Sequence, residues 1–417
     1  MILVLFTSSY PYDYAAEYTF IQPELHYLVE KFDKIVLVPK VCKGKRFPLP
    51  ADIEVDEQYA ASLRANSNPV KVIRQLLHSK VFYSELQKNK TILLHPLKIL
   101  KLIMFSSAAE LTRQWVTHWI KTRQVDENNI VLYSYWFNHI AVGLGLIKQE
   151  FPCTKVVSRA HGYDIYEEYY PPYYWPYRPE TFGVLDKLFL ASEAGRQYFC
   201  DRYPEFISKY ETAHLGINDP GFSTKPSVDN VFRVISCSNI MSVKRLDLLL
   251  EGLTVMARLR PGQKFEWIHF GDGKGRRSLE KKMARNFPTN IQGRFEGHVP
   301  NDEIMWHYQN QPCDVFVNVS ETEGGAPVSI QEAISCGIPV VATSVGGNPE
   351  IVSEKNGILL SPNPKPYEIA TALLKIWDDP LVAAEMKTGS RQVWQAGYNA
   401  DVNFSAFAER LKSIGES

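Results

Sequence analysis

Two carboxylates and a run of small residues stand where phosphate and sugar chemistry could meet. Glu323 and Glu332 bracket Gly324, Gly325 and Ala326. Small residues leave backbone N–H groups unobstructed, and just before a helix N-terminus those groups favour phosphate. The flanking carboxylates can accept hydrogen bonds from sugar and ribose hydroxyls. Lys244 and Arg245 begin a second helix, where bound anions rather than fixed cations are expected, so a phosphate shared between side chains and helix end explains them, although Arg245 could equally be a solvated helix residue. His161 and Asp164 follow a strand with Gly162 between them. By themselves the three small residues could equally be a structural turn, and a loop histidine is usually idle.

The elements that must hold these groups are strands and helices in alternation. Residues 315–319 form an apolar run that reads as a buried parallel strand. Pro327 suits a first helical turn, Val328, Ile330, Ala333 and Ile334 share one side of a short helix, and Gly337 ends it. The strand 339–343 follows, and Gly346 and Gly347 turn the chain. In open α/β sheets, ligands sit at the carboxyl ends of such strands. Earlier in the chain, 1–6, 35–38, 130–133, 155–160 and 188–191 read as strands, with helices over 17–32 and 140–147. The first turn holds YPYDYAAEY and no G-x-G-x-x-G, which argues against a dinucleotide-binding dehydrogenase. Residues 218–230, rich in Pro, Gly, Ser and Asp, read as a linker. Strands 232–236 and 267–270 open a second sheet, and helices over 366–377, 381–394 and 404–414 close the chain.

The string from Glu323 to Thr343 resembles the donor-site signature of the retaining family 4 glycosyltransferases, which have the GT-B architecture. HGYD at 161–164, GDG at 271–273 and RFEGHVP at 294–300 resemble other loops of that family. The resemblance implies an α/β chain of two Rossmann-like, doubly wound domains facing a central cleft: residues 1–217 for the acceptor, a linker at 218–230, and 231–399 for a nucleotide-sugar donor, with 400–417 packing back on the first domain. It implies catalytic roles for His161, Lys244 and Glu323, and donor contacts from Asn239, Arg245, Gly271, Val299, Gly324, Gly325, Ala326 and Glu332. Two departures are visible: eight residues instead of seven separate the glutamates, and Asn239 occupies the place of an arginine.

The activity so implied is transfer of a hexosyl unit from a UDP- or GDP-linked sugar to a glycan or lipid-linked acceptor, as in bacterial O-antigen, capsule or lipopolysaccharide assembly, without metal or cofactor. Tyr169 to Tyr177 either pack as a loop or stack on acceptor sugars. A nucleotide-sugar epimerase and a non-catalytic nucleotide-sugar-binding scaffold are the alternatives.

Bulk properties bound this reading. A chain of 417 residues exceeds one core's usual size. The 46 basic and 46 acidic residues cancel, so no global attraction to nucleic acid is implied. Six scattered cysteines include no Cys-x-x-Cys, which argues against a metal site and a disulfide framework and for a reducing cytosol. No apolar run is long enough to span a bilayer, and the apolar start is too short for a signal peptide. Residues 71–124 carry ten Lys or Arg against Glu85 and Glu110. They read as amphipathic helices with a solvated basic face, or as a surface for an anionic membrane, which would put the protein on the inner face of the cell membrane.

Overall fold

The computed structural model describes residues 1–14 and 17–417. The stretch at 10–18, whose role the sequence leaves open, therefore includes two positions, Ala15 and Ala16, outside the described residues. Contacts divide the chain into two compact units, Met1–Ala213 with Phe404–Ser417, and His214–Asn403.

Unit 1 holds seven strands: β1 (Ile2–Thr7), β2 (Lys34–Pro39), β3 (Ile53–Val55), β4 (Ile130–Ser134), β5 (Lys155–Ala160), β6 (Lys187–Leu190) and β7 (Tyr210–Thr212). They pair in the order β3-β2-β1-β4-β5-β6-β7, in parallel throughout. Such strands are covered on both faces, so they read as continuous Val/Ile/Leu runs. Alternation then sorts each strand: Val4, Phe6, Val36, Val38 and Leu132 enter one cluster, Leu3, Leu5, Ile35, Leu37 and Val131 the other. Each full burial is worth roughly 1.5–3 kcal/mol.

The first crossover carries α1 (Tyr18–Lys31), and helices also fill the long interval between β3 and β4. These are α2 (Gln58–Ala65), α3 (Pro69–Leu76), α4 (Lys80–Lys88) and the 28-residue α5 (Pro96–Arg123). Asn68 and Ser79 cap α3 and α4 by accepting from the Lys71 and Phe82 amides. The basic stretch 71–124 is thus a helical subassembly on unit 1. No helix among the described residues is long and apolar enough to cross a membrane.

Unit 2 holds β8 (Val231–Cys237), β9 (Lys264–Phe270), β10 (Ile291–Gly297), β11 (Val315–Asn318), β12 (Val340–Thr343) and β13 (Gly357–Leu360), ordered β10-β9-β8-β11-β12-β13 and again parallel. In each sheet the winding reverses once, between β1 and β4 and between β8 and β11. A crevice opens at such a reversal.

Two expectations about the boundaries change. The units divide at 213/214 and 403/404. The stretch 218–230 is part of unit 2 rather than a loose linker. Thr224 is buried, with its amide on Cys336 O, and the Asp314 carboxylate gathers Ser227 N, Ser227 Oγ and Arg233 N at 2.6–2.9 Å. Polar composition marks a turn-rich segment, and this one is bonded into unit 2 at Thr224 and Ser227 while most of its residues stay exposed.

Candidate functional site

At the reversal of unit 2, the loop after β8 closes in a short 3-10 turn, Ser242–Lys244, and the loop after β11 runs beside it, tied by Glu321 N to Val243 O at 2.8 Å. This brings Lys244 Nζ to 2.6 Å from Glu323 Oε1, and Asn318 Nδ2 donates to the same oxygen at 3.0 Å. Both side chains of the pair keep some exposure, 24 % for Lys244 and 10 % for Glu323. Residues 79 positions apart thus form one charged pair at the sheet's crevice.

Gly324, Gly325 and Ala326 lead from Glu323 into the helix Val328–Ser335, which starts at Pro327 without a side-chain cap. The loop is shaped by a second pair of glycines. A methyl on Gly346, at φ +52, would lie 1.7 Å from Glu323 O, and one on Gly347 would lie 2.3 Å from the Gly325 carbonyl carbon. Only glycine lets these backbones touch. The eight-residue spacing therefore ends in a loop whose path is fixed from outside.

Glu332 lies one turn into that helix, buried, and accepts from Asn301 Nδ2 at 2.6 Å. Burial pushes its carboxyl up to about 7, against the opposing effect of the Asn301 hydrogen bond. Val299 is half-buried just before Asn301 and packs against the core cluster of Ile304 and Phe316. Asn239 is exposed, its carbonyl accepting from Met241 N at 3.0 Å.

Two donor-side expectations are corrected by the geometry. Arg245 does not present its charge to a ligand. Nε donates to Val319 O, Nη2 to Ser320 O and Pro362 O, and Nη1 to Asn363, all at 2.8–3.0 Å. Its guanidinium is a brace for the loop after β11, whereas the adjacent Lys244 turns its ammonium to Glu323. Gly271 is present for close approach and not for its amide: a methyl there would lie 1.9 Å from Ser238 O, and its N–H is spent on Gly297 O at 2.7 Å.

In unit 1 the corresponding reversal is built from aromatic groups, with its carboxylates turned onto the protein's own amides and an indole. His161 follows β5, its ring stacked on Tyr135 at 4.8 Å and against Trp136 at 4.4 Å. Neither ring nitrogen meets a hydrogen-bond partner among the described residues. Burial, and then the charge of Arg159, hold its pKa well below the usual imidazole range, so the ring is neutral with one nitrogen able to accept a proton. Asp164 is no ligand residue: it is fully buried and takes the amides of His161, Gly162 and Phe137 at 2.8–3.0 Å. It holds the loop that carries His161.

Glu17, Trp136, Asn318 and Asn301 are the site residues that spacing did not single out. The Glu17 carboxylate accepts from Ser8, Ser9 and Tyr10 amides at 2.6–3.0 Å and from Trp136 Nε1 at 2.5 Å. Trp136 and Asn318 lie at or just past the carboxyl ends of β4 and β11, the one signal that could have found them. No group of three or more metal-ligating side chains occurs among the described residues.

With this geometry in view, comparison with known proteins gives a consistent picture. Residues 222–393 match the family described as glycosyl transferases group 1. The chain is 32 % identical over 144 residues to a phosphatidylinositol N-acetylglucosaminyltransferase component of Arabidopsis thaliana, covering 34 % of this chain and 30 % of that protein. The match thus spans about a third of the plant relative's length. It is 25 % identical over 325 residues to a GDP-mannose-dependent monoacylated alpha-(1-6)-phosphatidylinositol monomannoside mannosyltransferase of Corynebacterium glutamicum, covering 72 % of this chain and 78 % of the other. Among solved structures, a glycosyltransferase from Rickettsia africae superposes with a TM-score of 0.65 at 14 % identity over 99 % of this chain and 98 % of that one.

Proposed function

We propose that this chain, which has the GT-B fold, is a family-4-like, group 1 glycosyltransferase that moves a hexosyl unit from a UDP- or GDP-linked sugar to a hydroxyl of a glycan or lipid-linked acceptor, with retention of anomeric configuration. The observation that carries the proposal is the Lys244–Glu323 pair at the reversal of the unit 2 sheet, beside an uncapped helix start. An internal ion pair in a crevice can be exchanged for a ligand that satisfies both partners. A sugar diphosphate does so: its phosphate takes Lys244 and the amides at 324–326, and its sugar hydroxyls take Glu323. Asn239 and Val299, in the loops after β8 and β10, take the rest of the nucleotide, and Glu332, oriented by Asn301, meets the ribose. As the bond from the anomeric carbon to the diphosphate oxygen breaks, charge grows on the leaving group, and Lys244 with the helix start stabilises it. His161, neutral and with neither ring nitrogen bonded among the described residues, serves the acceptor hydroxyl.

Two relatives act, by their names, on phosphatidylinositol-based lipids. That supports a lipid-linked acceptor here, used in assembling a surface polysaccharide or glycolipid, with the basic stretch 71–124 meeting the anionic membrane that holds it. The test is a thermal-shift screen with UDP, GDP, ADP and CDP and their sugars, followed by turnover with the responding donor. A nucleotide at 100 times its dissociation constant stabilises by about 2.7 kcal/mol. Absence of any shift in folded protein would overturn the donor site. Binding without transfer or epimerisation would favour the silent scaffold.

A further inference from the structure

Residues 66–105 contain seven lysines and arginines and one carboxylate, Glu85. That carboxylate is turned inward, accepting from the Tyr174 hydroxyl and the Tyr177 amide at 2.6 and 2.5 Å. The outer surface of this region therefore carries no acid. It does carry large apolar side chains in the open: Val70, Ile73 and Leu77 along α3, and Leu97, Leu100 and Met104 along α5, between 56 % and 77 % exposed. Soluble surfaces scatter such residues singly, whereas here each set recurs at helical spacing.

The two stripes open to one side. Gln75 is buried with the Ser107 hydroxyl donating to it, so α3 lies on the Ser107 side of α5. At about 100° per residue, Val70, Ile73 and Leu77 stand roughly opposite Gln75 on α3 and point away from α5. On α5, Leu97, Leu100 and Met104 stand within about 80° of Ser107, on the side that α3 covers further along. The N-terminal turns of α5 are left uncovered by the shorter helix. Arg74 is exposed beside the α3 stripe, and Lys71 is exposed on the flank nearer Gln75, its ammonium giving one hydrogen bond to Ala65 O at 2.8 Å. Lys101 is not available to a ligand, because its ammonium sits over the Trp175 ring at 4.1 Å.

We infer that α3 and the N-terminal turns of α5 seat unit 1 on a bilayer containing anionic lipid, with the apolar stripes entering the headgroup layer and Lys71 and Arg74 meeting lipid phosphates. The charge favours a lipid surface over a protein: a basic rim without acids complements a uniformly anionic leaflet. The contact deepens the proposed lipid-linked acceptor and rests on that reading for its purpose. The loop that starts at His161 is seated on the same helices, Tyr174 packing with Ile92 and Leu102 and Trp175 with Phe105.

Sedimentation of the full chain with vesicles tests this. With phosphatidylcholine mixed with phosphatidylglycerol the protein pellets, and with phosphatidylcholine alone binding falls about tenfold. The double variant Leu97→Glu/Leu100→Glu loses binding by about tenfold or more, and Lys71→Glu/Arg74→Glu loses chiefly its dependence on the anionic lipid. Both variants keep the wild-type nucleotide thermal shift, which reports unit 2 and checks folding. Equal binding by wild type and the leucine variant, no binding by wild type to either vesicle, or a wild-type dimer that Leu97→Glu/Leu100→Glu dissociates would each overturn the inference. A protein that binds vesicles yet shows no nucleotide shift fails the donor reading alone.

Discussion

The reversals of the two sheets have the same topology and opposite electrostatics. In unit 2 the charges remain partly open: Lys244 and Glu323 satisfy each other and can each be handed to a ligand. In unit 1 the carboxylates near the reversal are consumed internally, Glu17 by three amides and an indole, Asp164 by amides and Glu24 by Arg159, and His161 is kept neutral. On the proposed function the charged crevice takes the diphosphate and the uncharged one the acceptor hydroxyl. The same sheet order therefore fixes where ligands bind and leaves the loops to decide which charge they carry.

The contrast is most exposed to a change at Lys244. Lys244→Ala removes the cation paired with Glu323 at the donor crevice and strands that carboxylate, so kcat/KM falls about 10²–10³-fold with little change in Tm; an unaltered rate would take Lys244 out of the site. His161→Ala tests the other crevice, lowering kcat about 10²-fold while the nucleotide thermal shift stays intact. Because the imidazole pKa is depressed, no acid limb from this residue falls near pH 6.5, and the rate profile should be flat there.

Glu332 offers a smaller effect with a definite sign. Its folded pKa is raised from 4.5 to about 7, so the native state binds the extra proton and stability declines as pH rises from 4.5 through 7. Glu332→Gln removes a decline of about 2 kcal/mol, readable from urea melts at pH 5 and pH 8. The smallest donor effect belongs to Arg245. Arg245→Met costs about 1–2 kcal/mol of stability through lost hydrogen bonds to carbonyls and leaves nucleotide affinity within about threefold. A large affinity loss at unchanged Tm would return Arg245 to the donor site.

Much of this was legible in the chain itself. Parallel strands announced themselves as unbroken Val/Ile/Leu runs, and Glu323, Lys244 and His161 stood at the strand ends where ligands bind. What a linear reading could not supply is which polar group is spent on the protein. Arg245 and Lys244 are adjacent and chemically alike, yet the first is consumed by four acceptors that lie over seventy residues away. Asn301 and Glu17 gain their roles from partners 31 and seven to nine positions distant, with no motif to mark them. The stretch 218–230 misled in the same way, since its composition does not show that Asp314 holds Ser227 or that Thr224 is buried against Cys336 O.

The return of residues 404–417 to unit 1 sets an order on biosynthesis. Phe407 packs on Tyr133 at 5.7 Å and Phe189 at 4.9 Å, and Leu411 and Ile414 join the same cluster as Leu3 and Leu5. A ribosome that has delivered residues 1–213 has made seven strands whose one face is covered only in part, by α1. Unit 2, contiguous from 214 to 403, emerges next and can close on its own, so the unit begun first is the one sealed last. Until that seal forms, the nascent chain carries an apolar patch around Tyr133 and Phe189, and the helix Ala400–Glu416 acts as the latch on the unit that the first strand began.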